Sequence, residues 1–315
     1  MSIWLIGAGP MAQDYARVLL ALDQPFRVIC RSQESAIAFE KATGKSVQAG
    51  GIASALGSGT APAKAIVAVG VEQLAPIAVE LIKAGTRRIL LEKPGGINVE
   101  EIERVSECAR LCAATVIVGY NRRYYASVDH ARNVISEDGG LLSAHFEFTE
   151  WAHKIAPLAK PEGVKEHWVL ANSSHVIDLA FHLCGKPRDW RFWYAGGLAW
   201  HPCSSRFAGA GLTEQDVMFS YSADWQAPGR WGLELLTASS RLTLRPMEQL
   251  KITRTGSVEV EAVELTEVLD LEFKPGLMKQ TSAFLQHDDS LACTVGEQLE
   301  NARIYSAIAG YTQRQ

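Results

Sequence analysis

Six residues near the start, Gly7-Ala8-Gly9-Pro10-Met11-Ala12, constrain this chain more than any other stretch. They follow an apolar run over residues 2–6 that reads as a buried strand. They open a segment, 11–22, with helical periodicity, so the glycines stand at a strand-to-helix turn. Gly7 permits the tight turn, Gly9 lets backbone approach a pyrophosphate, and Ala12 is small enough for helix and strand to pack. Pro10 costs little in a first helical turn, where its missing N–H would have no intrahelical partner. The free N–H groups of the helix start suit an anion. The spacing predicts a dinucleotide cradle made by Gly7, Ala8, Gly9, Pro10, Met11 and Ala12.

The alternation continues with strands over 26–30, 65–69, 88–92 and 115–120 and helices over 34–43, 72–84 and 99–112. This is the pattern of a doubly wound α/β Rossmann domain over 1–120. Val69 and Gly70, where one strand gives way to its helix, are counted with the cofactor-binding residues. After residue 120 the texture changes to a helix over 125–136, a strand over 143–150, a Pro- and Lys-containing stretch over 156–166 and a helix over 174–183. Period-two segments at 216–221, 232–238, 241–245 and 250–254 follow, separated by Gly, Pro and Ser, and a helix over 296–311 closes the chain. The expectation is an α+β substrate-binding domain over 121–315 with a large, mainly antiparallel open sheet.

Length and composition narrow the function. The 315 residues suggest about two domains. With 31 Lys and Arg against 35 Asp and Glu, a net charge of −4 lacks the basic excess that nucleic-acid binding requires. No apolar run has the length of a membrane-spanning helix. The apolar start lacks a basic leader and a cleavage site, and the six cysteines are scattered, which together predict reduced thiols in a cytoplasm. Cys108 and Cys112 share a helical face, but no second Cys or His pair of matching spacing accompanies them, so packing is expected and no metal.

The second strand ends in Cys30-Arg31-Ser32, without the carboxylate that usually holds the ribose diol of NAD. Arg31 offers a planar, charge-assisted fork and Ser32 a hydroxyl to a 2′-phosphate, which predicts preference for NADP(H), with NAD(H) a lesser partner. The competing reading is an exposed arginine, with Glu34 reaching the ribose. Glu92-Lys93-Pro94 places a lysine at the carboxyl end of a strand, where open α/β sheets bind ligands. Such a lysine exchanges a proton with a substrate oxygen once its pKa of about 10.4 is lowered; by composition alone it is a solvated charge.

The glycine turn, Glu92-Lys93-Pro94, Val118-Gly119-Tyr120-Asn121 with Arg123, and His175-Val176-Ile177-Asp178 together resemble the glucose-fructose oxidoreductase and inositol dehydrogenase family, in order and over nearly the whole chain. The resemblance implies an N-terminal Rossmann domain and a C-terminal domain whose sheet walls the substrate and forms a homo-oligomer interface. It implies that Lys93 is the catalytic or substrate-positioning lysine, that Glu92 and Asn121 lie by the cofactor, and that the Lys93–Pro94 bond is cis. It also implies a catalytic D-x-x-x-H in which His175 holds the histidine place. Here Ala171 stands where the aspartate belongs. Asn172 or Ser174 suits a hydrogen bond to a substrate hydroxyl, and neither is a carboxylate base. Tyr120, Asn121 and Arg123 read either as cleft-lining or as a hinge. His175, Asp178 and His182 share a helical face and read as family geometry, a metal cluster or a hydrogen-bonded core face. Trp151, His153, Lys154, His167 and Trp168 are candidates for the wall of a polar-ligand pocket.

The implied reaction is hydride transfer between a nicotinamide and a CH–OH/C=O carbon of a small polyhydroxylated substrate: a sugar, sugar nucleotide or cyclitol. The nicotinamide is expected in a crevice between the two halves, its reactive carbon facing the amine of Lys93. Two rivals follow from Ala171: a C=N or C=C reductase, and a non-catalytic NADP-sensing regulator.

Overall fold

The computed structural model describes residues 3–57, 59–265 and 267–311; Ser2, the expected start of the first strand, lies outside them. Strand and helix alternate from the start: β1 (Ile3–Ile6), α1 (Pro10–Ala21), β2 (Phe26–Ile29), α2 (Gln33–Thr43), β3 (Val47–Gln48), α3 (Gly51–Gly57), β4 (Lys64–Val67), α4 (Val71–Lys83), β5 (Arg88–Leu91), α5 (Val99–Leu111) and β6 (Thr115–Val118). The strands β3-β2-β1-β4-β5-β6 pair in parallel. Every residue of β1 and β5 is buried, as a sheet covered on both faces requires. Strand order reverses between β1 and β4, and the glycine turn leaves β1 at that reversal. β3 and α3 were not anticipated: a two-residue strand is too short to carry a period.

The chain continues through α6 (Ala126–Glu137), β7 (Ser143–Glu147), α7 (Ala152–Ile155), a π-helical turn (Val169–Ser173), α8 (Ser174–Cys184), β8 (Pro187–Ala195), β9 (Arg206–Thr213), β10 (Met218–Asp224), β11 (Gly232–Leu236), β12 (Ser240–Leu244), β13 (Lys251–Arg254) and β14 (Glu261–Ala262). These strands form an eight-stranded sheet in the order β14-β13-β12-β11-β7-β10-β9-β8, antiparallel except where β10 meets β7. Alternate residues of β7 point inward: Phe146 meets Phe181 of α8 edge-on, with ring centroids 5.5 Å apart, and Phe181 meets Phe219 of β10 at 5.3 Å. This packing fixes α8, and so the His175 backbone, on the sheet.

The last elements are α9 (Leu269–Glu272), α10 (Leu277–Gln286), β15 (Cys293–Thr294) and α11 (Val295–Ala309). Here the expected division at 120/121 needs correction. The two compact units are Met1–Asn121 with Leu269–Ala302, and Arg122–Val268 with Arg303–Gln315. The returning segment stays with the first unit because its apolar face completes that core: Leu277, Met278 and Phe284 pack with Leu5, Tyr15, Leu19 and Phe39. Arg88 Nε donates to Phe284 O at 2.9 Å and the same guanidinium grips Asp289 with two further bonds, while β15 adds an antiparallel edge to β6. Among the described residues no helix is long and apolar enough to cross a membrane.

Candidate functional site

In the first unit, Gly7 leaves β1 with φ +120°, and a Cβ there would lie 2.1 Å from the Ala68 carbonyl oxygen. Only glycine fits. Its N–H donates to Ile29 O, and Ala68 N–H donates to Ile6 O, so the turn is stitched to both neighbouring strands. Gly9 is the N-cap of α1, where a Cβ would meet nothing within 4 Å. No side chain caps the helix, Pro10 occupies its first turn, and Ala12 is fully buried between helix and sheet, with Ala8 and Met11 half-buried beside it. An open backbone approach at a helix start with free N–H groups fits the pyrophosphate of a dinucleotide.

The neighbouring positions divide. Arg31 is exposed at the end of β2. Ser32 is the N-cap of α2, its Oγ accepting from Ser35 N–H at 3.2 Å, so its first role is to hold that helix start. Val69 is half-buried, and exposed Gly70 caps α4 without a side-chain bond.

At the end of β5, Glu92 is buried, Lys93 is half-buried, and the Lys93–Pro94 peptide is cis, as the family resemblance implies. Tyr15 Oη donates to Glu92 Oε1 at 2.7 Å. Burial pushes the Glu92 carboxyl above the ordinary range, opposed by the Tyr15 bond and by Lys93 and Lys274. Burial and the Glu92 charge push the Tyr15 phenol well above its usual value, so it remains a donor. Gln280 of α10 accepts from the N–H groups of Tyr120 and Asn121 at 3.2 Å each, and Gln298 Nε2 donates to Pro94 O at 3.0 Å. Asn121 Nδ2 donates to Pro275 O at 2.9 Å. The returning segment therefore braces the lysine loop. Tyr120, expected to line the cleft, is 1% exposed and offers a ligand no surface. Tyr15, Gln280 and Gln298 carry no local motif that sequence reading could have found.

In the second unit, the turn before His175 is a π-helix, a local widening that often marks functional sites. It carries Asn172 and Ser173, whose Nδ2 and Oγ both donate to Glu150 Oε1 at 2.8 Å. Glu150 is 2% exposed, just past the end of β7. Ala171 leaves the helix without a carboxylate, and the structure brings one in from 22 residues before Asn172. His175 is half-buried, its ring centroid 6.1 Å from that of Trp231. The Arg230 guanidinium stands 4.7 Å from the Trp231 ring and 4.9 Å from that of Trp151; Arg122 stands 5.0 Å from Trp231 and 5.8 Å from Tyr125. Of these residues the sequence singled out only Asn172, His175 and Trp151.

Other expected contacts have different tasks. Arg123 and Asp178 form a bidentate ion pair, with bonds of 2.9 and 2.6 Å and exposures of 2% and 1%. The bidentate pair ties Arg123 to α8, and at these exposures it offers a ligand almost no surface. Ser174 is fully buried and its Oγ donates to Leu170 O. Trp168 packs edge-on against Trp200 at 6.0 Å. His167 Nδ1 lies 2.9 Å from Gly163 O, while His153 and Lys154 are exposed on α7. Burial, with Arg123 and Arg132 nearby, lowers the His182 pKa to about 3. Among the described residues no group of three His, Cys, Asp or Glu is placed to hold a metal, and burial and the neighbouring Cys112 raise the Cys108 thiol.

Residues 1–120 match the oxidoreductase family with an NAD-binding Rossmann fold (GFO_IDH_MocA). A search of curated proteins found no match. Solved structures align over nearly the full length. UDP-N-acetylglucosamine 3-dehydrogenase from Acidithiobacillus ferrooxidans has 15% identity and a TM-score of 0.75, covering 98% of this chain and 96% of its own. Levoglucosan dehydrogenase in complex with NADH and levoglucosan has 16% identity and a TM-score of 0.78, with the same coverage. A putative NADPH-dependent oxidoreductase from Desulfitobacterium hafniense has 14% identity and a TM-score of 0.79, covering 98% and 94%. At these identities the likeness is one of fold. Residues 1–120 thus resemble the Gfo/Idh/MocA oxidoreductase family, and over nearly its whole length the chain shares the fold of these solved dehydrogenases.

Proposed function

We propose that this protein is a nicotinamide-dependent dehydrogenase acting on a CH–OH/C=O carbon of a sugar, sugar nucleotide or cyclitol, with NADP(H) preferred over NAD(H). The observation that carries the reading is the cradle at Gly7 and Gly9: a turn only glycine can make, opening onto an uncapped helix start. The nicotinamide, when bound, supplies or receives the hydride. The chain's own contribution is positioning and proton transfer. Lys93 holds the substrate oxygen and exchanges its proton, from a loop braced by the Tyr15–Glu92 bond and by Gln298. His175 supplies a second polar contact to the substrate. Glu150, accepting from Asn172 and Ser173, supports the π-helical turn before it.

The cofactor preference rests on exposed Arg31 and on the absence of an acid beside it. The solved neighbours include one in complex with NADH and one described as NADPH-dependent, so they leave the choice to this chain's residues. A cytoplasmic location and assembly through the second sheet are parts of the same proposal, the latter checked by light scattering. Fluorescence titration should give tighter binding of NADPH than NADH, with the order reversed in Arg31→Asp. Lys93→Met should keep nucleotide affinity within threefold while turnover of any accepted sugar falls at least 10³-fold; near-normal turnover refutes the mechanism.

A further inference from the structure

Among the described residues the two buried arginines are matched to acceptors: Arg88 to Phe284 O and Asp289, Arg123 to Asp178. The pair around Trp231, half-buried Arg122 and exposed Arg230, is placed differently. Arg122 is half-buried, and its Nε is buried with no hydrogen-bond acceptor among the described residues. Arg230 has as its nearest carboxylate oxygen Glu150 Oε2, at 3.9 Å, outside hydrogen-bond reach, while Oε1 of the same carboxyl already receives Asn172 and Ser173. A guanidinium has five N–H donors in a fixed fork, and a buried one left unbonded, as Arg122 Nε is, is costly, while the donors of exposed Arg230 meet solvent.

The two cations also repel one another. Both guanidinium carbons lie within 5.0 Å of one indole centroid, and Arg230 adds to the burial that lowers the Arg122 pKa. Acting the other way on Arg122 are Tyr125, exposed Glu248 and Glu150, the last also ion-paired with Arg230 at 3.9 Å, so one buried carboxylate stands against two guanidiniums. Cation–π contact with Trp231, Trp151 and Tyr125 holds the guanidiniums in place without using their N–H groups. Two guanidinium forks held by one indole, which itself neighbours the His175 ring, have the chemistry to receive an oxyanion.

We propose that the substrate is an anionic sugar whose carboxylate or phosphoryl group is gripped by Arg122 and Arg230 beside the Trp231 indole. This rests on the dehydrogenase reading above and narrows its substrate class. Carboxylate and phosphoryl groups share the fork-shaped recognition, so the test carries both.

The full-length protein is titrated with D-glucuronate, UDP-glucose and D-glucose, followed by tryptophan fluorescence and calorimetry, with and without saturating NADPH. At least one of the two anions should bind tenfold or more tightly than D-glucose, and which one does so tells carboxylate from phosphoryl. Arg122→Gln and Arg230→Gln should each remove at least tenfold of that preference, leaving NADPH affinity within threefold. Arg230 has a side chain 49% exposed, so its variant carries the test if Arg122→Gln fails to fold. If neither anion outbinds D-glucose, or both variants keep the preference, the proposal falls. Failure of the dehydrogenase reading looks different: no pyridine nucleotide binds at all.

Discussion

The reassignment of Arg123 and Asp178 is testable on stability and activity at once. Asp178→Asn keeps the size of the side chain and removes its charge, so Arg123, 2% exposed, loses the carboxylate of its bidentate pair. Breaking one partner of such a pair costs about 3–5 kcal/mol. For a domain of this size each kcal/mol is worth about 2–4 °C, so the second unit should melt about 6–20 °C lower. Differential scanning calorimetry on wild type and variant, with and without NADPH, reads this directly. The double variant Arg123→Leu with Asp178→Leu should recover much of the loss, because replacing both partners removes the buried charge as well as the bond. A substrate-binding role predicts another pattern: unchanged melting with a KM raised severalfold. Melting within 2 °C of wild type in Asp178→Asn would refute the structural role.

Gly7→Ala should raise the dissociation constant for NADPH more than tenfold and cost about 1–3 kcal/mol in urea unfolding, since its Cβ collides with Ala68 O and φ +120° is foreign to alanine; unchanged binding would show the cradle is not the nucleotide site. His201 donates from Nδ1 to Ser204 O at 2.6 Å, so its Nε2 accepts from Tyr311 Oη at 2.7 Å, and Tyr311 in turn accepts from Val169 N–H at the start of the π-helical turn. Tyr311→Phe should destabilise the second unit by about 1–3 kcal/mol and speed amide exchange at Val169, because it strands two buried groups; exchange as slow as wild type counts against the pin. His182 has a folded pKa of about 3 against 6.5 unfolded, so the unfolded chain takes up its proton first as pH falls. Its contribution to stability is complete above pH 6.5 and is lost as pH falls from there toward 3. His182→Phe should flatten the pH dependence of the urea midpoint over that window, and an unaltered slope would exclude His182 as its source.

What the sequence made legible follows the range of the interactions involved. The glycine turn could be read because its requirement is local: Gly7 must be glycine wherever a strand turns this sharply beside a second strand. The parallel sheet could be read because strands buried on both faces leave continuous apolar runs, as β1 and β5 do. The returning segment could not. Leu277, Met278 and Phe284 look like one face of any amphipathic helix, and nothing in their spacing says that they complete the core around Tyr15 and Leu19.

The second half of the site failed for a sharper reason. The D-x-x-x-H spacing assumes an uninterrupted α-helix, and the turn it counts across, Val169–Ser173, is a π-helix. Counting back four positions from His175 finds Ala171, and the carboxylate bonded to this turn is one that no count along the helix reaches. That group, Glu150, comes from the end of another element and is joined to the helix only by side-chain bonds from Asn172 and Ser173. The same holds for Arg122 and Arg230, which lie more than a hundred residues apart in sequence and meet only at the Trp231 indole. Helical spacing finds groups that one element brings together. Groups that several elements bring together around an indole or a buried carboxylate leave no period to find, and in this chain they include the charges on which substrate choice is proposed to rest.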